Sequence, residues 1–345
     1  MKMKNSLHSN IFRALVFILM PVLYSACESV LFIELEESDK LIVLNGAISS
    51  DSLVSVQVSR TRHILDNAPV EPLENAKVSL YQNGTLLQEL AYTENGSFVS
   101  ADFIPSIGYD YSIEVENAGY ESVTASSEIP ALVPIELFDT VSIHKEDGDP
   151  YSYISYDDVL QFDLTLQDPA GVENFYLLSA EADRSYTEYR DTTIQVWDSG
   201  FYNNQWNYFL TKVDITLTDI HRFKEYPYIR TEDIVVEGIT SHGVLFTDNL
   251  FDGKSYSFKG EFYHDQLRAV DSAVVDVSLH SISESYYKYL KSRQKHYSTK
   301  GDYLAVPVIV YSNVDGGTGF FGGYSSDVHT FTTFIPEYDD YWYRY

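Results

Sequence analysis

Residues 311–326 read YSNVDGGTGFFGGYSS, and five glycines fall within the eight residues from Gly316 to Gly323. Gly317, Gly319 and Gly322 spell a G-x-G-x-x-G. In a dinucleotide-binding fold that spelling comes after a strand and opens a helix, whose N-terminus holds the pyrophosphate. A strand-like run, AVPVIVYSN, does precede it. The next residues, SSDVHTFTTFIPE, are β-rich and end in Pro336 and Glu337. The block is therefore expected to be a sharply bent strand connection in which glycines permit positive φ and close backbone approach. Asn313 is expected to cap it, and one of Phe320 and Phe321 to enter the core.

The same period of two runs outward from this block. Val54, Val56 and Val58 alternate with Ser55, Gln57 and Ser59. Leu160, Phe162, Leu164 and Leu166 alternate with Gln161, Asp163 and Thr165. Val275, Val277 and Leu279 alternate with Asp276, Ser278 and His280. Half-buried antiparallel sheets read this way, whereas parallel sheets show continuous apolar runs with helices between them. Asn83-Gly84 and Asn95-Gly96 supply hairpin turns, and Asp168-Pro169-Ala170-Gly171 a tight β-turn. Asp252-Gly253 is expected to be a hairpin turn; the GKS at 253–255 lacks the earlier glycine of a phosphate-binding loop. A helix is expected at SISESYYKYLKSRQKH, near 282–296, with Ser281 and Glu284 as a capping box and Ile282, Tyr286 and Leu290 on one face. The fold class is all-β.

Prolines at 130 and 134 suggest a boundary, with a sandwich at 41–129 and a larger antiparallel β domain with one helix at 130–345. Before the sandwich, residues 1–26 carry Lys2, Lys4 and Arg13, no acid, and the apolar run Ala14–Leu23. That run has the length of a signal-peptide core and is short of the ~20 residues that span a bilayer. Cys27, the single cysteine, comes directly after Ser25 and Ala26. The pattern resembles a bacterial lipobox, with Tyr24 where leucine is usual. It implies cleavage before Cys27, acylation of its thiol, and a stalk at 27–40. Two or more acyl chains make a stable tether.

Formal net charge is −28, which disfavours nucleic acid as a partner. Nine histidines show no H-E-x-x-H. Acids crowd His144–Asp158 without the spacing of a calcium loop, and no G-x-S-x-G elbow is present. No cofactor, metal site or catalytic residue is expected. The densest aromatic stretch is WDSGFYNNQWNYF, 197–209. Trp197, Phe201, Tyr202, Trp206 and Tyr208 there are candidates for stacking on a glycan or peptide, against the plainer reading of a hairpin with cross-strand aromatic pairs. EYPYIR and DDYWYRY add further aromatics.

LENAKVSLYQNG, ENGSF and GYDYSIEVENAGYES resemble the carboxypeptidase regulatory-like sandwich of immunoglobulin or transthyretin type. The whole mature chain looks like one Bacteroidota family of outer-membrane lipoproteins, a domain of unknown function. The likeness runs through LIVLNGAIS, LQDPAGVENFYLL, LFTDNLFDGKSYSF, SISESYYKYLKS and PVIVYSNVDGGTGFFGGYS. Members are often encoded beside TonB-dependent receptors, which import scarce nutrients. The resemblance implies a lipid-anchored outer-membrane protein, displayed at the cell surface or facing the periplasm. It would be a non-enzymatic accessory of such a transporter. A structural or adhesive surface protein, and a surface glycan or peptide hydrolase, are the other readings.

Overall fold

Alternating residues become strands because one face of each can be buried while the other stays wet. The computed structural model describes residues 39–63, 66, 68–146, 156–202, 205–241, 243–263, 267, 272–300, 305–306 and 308–333. Cys27, the leader, the stalk up to residue 38, His242, His264, most of the acidic run and the DDYWYRY end lie outside them.

The first eight strands are β1 (Ile42–Ser49), β2 (Ser55–Arg60), β3 (Lys77–Gln82), β4 (Thr85–Glu89), β5 (Ala91–Tyr92), β6 (Ser97–Val99), β7 (Asp110–Glu116) and β8 (Val123–Glu128). Longer strands come next: β9 (Ile135–Glu146), β10 (Tyr156–Gln167), β11 (Phe175–Tyr202) and β12 (Gln205–Glu225). Then come β13 (Val236–Thr240), β14 (Gly243–Thr247), β15 (Ser255–Tyr263) and β16 (Ser272–Ile282). Helix α1 (Glu284–Ser298), β17 (Val314–Asp315) and β18 (Thr318–Thr333) complete the described chain.

One ten-stranded sheet runs β13-β14-β11-β16-β18-β1-β2-β6-β5, with β12 also paired to β11. A five-stranded sheet, β17-β8-β7-β3-β4, covers one half of it, and a three-stranded sheet, β15-β10-β9, covers the other. Two cores result. The first joins Leu44, Val56, Leu80, Ile113 and Phe321; the second joins Phe162, Leu164, Tyr176, Phe246 and Val277. The fold is thus all-β and sandwich-like, as the period of two implied.

In the first sandwich Tyr111 is fully buried, and its hydroxyl bonds back to the Ser106 amide and carbonyl at 2.8 and 3.2 Å. This is the tyrosine-corner geometry of immunoglobulin-like sandwiches. Asn83 and Asn95 take positive φ of 48° and 52° ahead of Gly84 and Gly96, as two-residue hairpin turns require.

The glycine block lies in β17 and β18. The first half of β18 pairs parallel with β1, and the second half pairs antiparallel with β16. The handover is Tyr324, opposite both Ser49 and Ile282. No helix opens on the last glycine. Asn313 spans the bend by pairing with Phe321 like a strand residue: its Nδ2 donates to the Phe321 carbonyl at 2.7 Å, and its Oδ1 accepts from the Phe321 amide at 2.9 Å. Both phenylalanines are buried, where one was expected. Phe321 enters the first core, and Phe320 stacks on Tyr289 of α1 with ring centroids 4.3 Å apart. Adjacent strand residues point to opposite faces, and here both faces are covered.

Because β17 and β18 close the first sandwich, residues from both sides of Pro130 build one sheet, and the described residues from Lys40 onward belong to one compact unit. Asp252-Gly253 is not a hairpin turn. It lies between β14 of the large sheet and β15 of the small one, so the chain changes sheets there. The helix begins two residues later than expected. Its N-cap is Ser283, which accepts from the Tyr286 amide; Ser281 and Ile282 still belong to β16, and Tyr287 and Leu290 are the buried helix residues. The capping motif shifted because β16 continues its ladder with β11 and β18 through Ile282.

Candidate functional site

Pairing on the β14 side of β11 stops at Leu178 opposite Val244 and resumes with β12 at Ala182 opposite Glu225. Between them, Ser179–Glu181 form a notch in the edge. A cleft of about 330 Å³ opens over this notch, on the face of the large sheet that carries α1. It approaches the lower limit of small-molecule sites, ~300–1,000 Å³.

The floor comes from three neighbouring strands. His280 of β16 lies opposite both Leu177 and Ser326, which aligns the polar side chains across the sheet. Its Nε2 is 2.8 Å from the Ser179 hydroxyl and its Nδ1 is 2.6 Å from the Ser326 hydroxyl. Burial lowers the pKa of the imidazole to about 4, against a weaker upward pull from Asp51, so it is neutral near pH 7. Glu181 at the rim is ion-paired with Lys224. Tyr324 meets the imidazole edge-on at 5.7 Å and Tyr286 of α1 at 6.1 Å.

The outer wall is the EYPYIR stretch. Pro227 and Ile229 are buried and fix the backbone, while Tyr226 and Tyr228 between them are 68% and 58% exposed. Ile239, Thr240, Ser241 and Gly243, at the turn from β13 to β14, form the facing wall.

The Ser179–His280 distance is within reach of a nucleophile–base pair. The third member, however, is a hydroxyl, which does not stabilise an imidazolium as a carboxylate does. The arrangement suits hydrogen bonding to a ligand better than attack on one.

A second cluster joins two blocks of sequence about 80 residues apart. The carboxylates of Asp168, Asp248 and Asp252 lie within 4.8 Å of one another. Each already has donors: Tyr176 Oη to Asp168 at 2.5 Å, the Gly253 amide to Asp168 at 2.9 Å, the Asn174 amide to Asp248 at 2.9 Å, and the Gly171 amide to Asp252 at 2.8 Å. Burial raises the Asp168 pKa against the bonds from Tyr176 and Gly253, and the two neighbouring acids raise it further. Hard oxygen ligands suit calcium in principle. Here the bonds fasten the two loops that cross between sheets, β10 to β11 and β14 to β15.

The aromatic stretch expected to stack on a ligand is the far end of a long ribbon. Beyond Ser185, β11 pairs only with β12 among the described residues, out to Tyr202 opposite Gln205. At ~3.3 Å per residue those arms are roughly 55 Å long. Register puts Trp197, Phe201, Trp206 and Tyr208 on one face with Leu210, and Tyr202 on the other. Phe201 lies directly opposite Trp206. The side chains of these five candidates lie outside the described residues. The expected turn residues Asn313, Gly316, Gly317, Gly319 and Gly322 are brought together at the β17–β18 bend, where they serve packing.

Sequence reading missed the cleft. Ser179, His280 and Ser326 have no common spacing and meet only through strand pairing; the alternation in VVDVSLH did place His280 on the polar face.

No curated protein matches the chain significantly. Residues 28–330 match the family described as Domain of unknown function (DUF4249). That span takes in both sandwiches, the ribbon and α1, and on it the chain belongs to this family.

Proposed function

We propose that the protein is a lipid-anchored outer-membrane protein that binds rather than catalyses. It acts as an accessory of a TonB-dependent transporter in nutrient capture or uptake. The address rests on Cys27, the single cysteine, placed directly after a basic and then apolar leader.

The observation that carries the partnership is the ribbon. An isolated two-stranded ribbon is marginal in water. This one leaves both outer edges without a strand partner among the described residues, and exposes Ile194, Leu210, Val213, Leu217 and Ile220. Arg190–Asp219 and Thr193–Asp214, at 2.6 and 2.7 Å, hold its arms together. Such an extension reaches well past the body and gains stability when a partner covers it. The extracellular face of a transporter is a partner within reach of a tethered protein.

Two measurements test the reading. Mass spectrometry of the native protein is expected to find acyl chains on Cys27; a bare thiol there removes the anchor. Affinity capture with the full chain is expected to recover an outer-membrane receptor. A variant in which residues 187–220 are replaced by an Asn-Gly turn should lose it. Recovery by neither sinks the partnership, and equal recovery by both overturns the ribbon as the surface that carries it. Capture of matrix or fimbrial proteins instead would favour the adhesive role, for which the same ribbon is suited.

A further inference from the structure

We propose that the cleft over the β11 notch is a binding site for a neutral carbohydrate, one or two sugar rings in size. The inference stands apart from the anchor and the transporter, since the cleft is built entirely from residues of the body.

The chemistry of the lining carries it. A sugar presents hydroxyls around its rim and C–H groups on its faces. The floor offers the hydroxyls of Ser179 and Ser278, and the Ser179 hydroxyl is oriented by the imidazole. A neutral imidazole flanked by two serines accepts on one nitrogen and donates on the other, so the row can pair with a hydroxyl in either sense. Tyr226 and Tyr228 stand at the mouth on a backbone pinned by buried neighbours. Amphipathic rings held in this way can stack on a sugar face with little ordering cost.

Charge and shape exclude other classes. Among the described residues the lining includes no lysine or arginine, and its acid, Glu181, is neutralised by Lys224. The chain as a whole is strongly acidic. Phosphorylated or carboxylated ligands would find no counter-charge in such a cleft. An extended peptide would bind by adding a strand to an open edge. The open edge here is only Ser179–Glu181, closed at one end by β14 and at the other by β12. A compact ligand fits that gap and a strand does not.

The test uses the purified full chain and a panel of glucose, galactose, N-acetylglucosamine, maltose, cellobiose and glucose 6-phosphate. Binding is followed by saturation-transfer NMR and titration calorimetry. At least one neutral sugar is expected to bind saturably. Tyr226→Ala should weaken it about tenfold without shifting the melting temperature, because that ring is exposed. Ser179→Ala should weaken it as well. The proposal is overturned if no neutral sugar saturates, or if both variants bind as tightly as the parent. It is also overturned if glucose 6-phosphate binds more tightly than glucose.

Discussion

Gly319 and Gly323 show how single residues hold this fold. Gly319 has φ of 121°, and a Cβ there would run into the Leu44 carbonyl of the parallel neighbour β1. At Gly323 a Cβ would run into the Glu128 carbonyl at the end of β8. Gly84 also has positive φ but faces open space. Gly323→Ala is therefore expected to cost roughly 3 kcal/mol or more, and Gly84→Ala about 1 kcal/mol, in urea unfolding. Equal costs would show that backbone approach at β18 is not the constraint.

His280 makes a second residue-scale prediction. Its pKa falls from 6.5 to about 4 on folding. Between those values the unfolded chain takes up a proton that the folded chain refuses, so stability falls as pH drops through that window. The expected loss for this group from pH 7 to pH 5 is about 2 kcal/mol. His280→Asn should flatten that limb of the stability–pH curve; an unchanged slope would assign it elsewhere. Glu237 acts lower. Burial alone would raise its pKa, but hydrogen bonds from Lys291, Tyr287 and Thr247 and the Lys291 charge outweigh it and bring the carboxyl to about 2. Its contribution is present above 4.5 and fades as pH falls towards 2, outside the His280 measurement.

At the scale of elements, α1 depends on its cap and on three tyrosines. Ser283 accepts from the Tyr286 amide at 3.4 Å, from the Gly323 amide at 3.1 Å and from the Ser127 hydroxyl at 3.1 Å. One hydroxyl thus joins the helix, β18 and β8. Ser283→Ala should cost about 2 kcal/mol, the upper end for an N-cap, because two further donors lose their acceptor. Tyr286, Tyr287 and Tyr289 pack the helix against the sheet, with Tyr287 also donating to Glu237. The ribbon behaves differently. It adds nothing to either core, so replacing residues 187–220 by a short turn should leave the melting temperature within a few degrees of the parent. A large fall would mean that the ribbon folds back on the body.

Across the whole molecule, the two sandwiches are joined by one shared sheet. The prolines suggest a boundary at 130, yet the strands that complete the first sandwich come from 314–324. Residues 41–129 expressed alone should therefore give the poorly dispersed NMR spectrum of an unfolded chain. Truncation after Gly317 should disrupt both cores, because β18 lies between β1 and β16 in the shared sheet. A well-dispersed spectrum from 41–129 would mean that β18 is dispensable to the first core.

The period of two, the Asn-Gly turns and the glycines around Phe321 determined the all-β class, because each depends on neighbours in sequence: side chains alternate across a strand, and positive φ needs a particular residue. GYDYSIEVENAGYES resembled an immunoglobulin-type sandwich, and the corner that Tyr111 makes with Ser106 was seen only in the structure. Which strands pair was not local. The parallel contact of β1 with β18, the change of sheet at Asp252-Gly253 and the displacement of the helix cap to Ser283 were decided by the burial of one sheet against two others. The cleft belongs to that second group. Ser179, His280 and Ser326 acquire a common chemistry only where three distant strands lie side by side. Hydrogen-bond register, not sequence spacing, brings both hydroxyls within 3 Å of the imidazole.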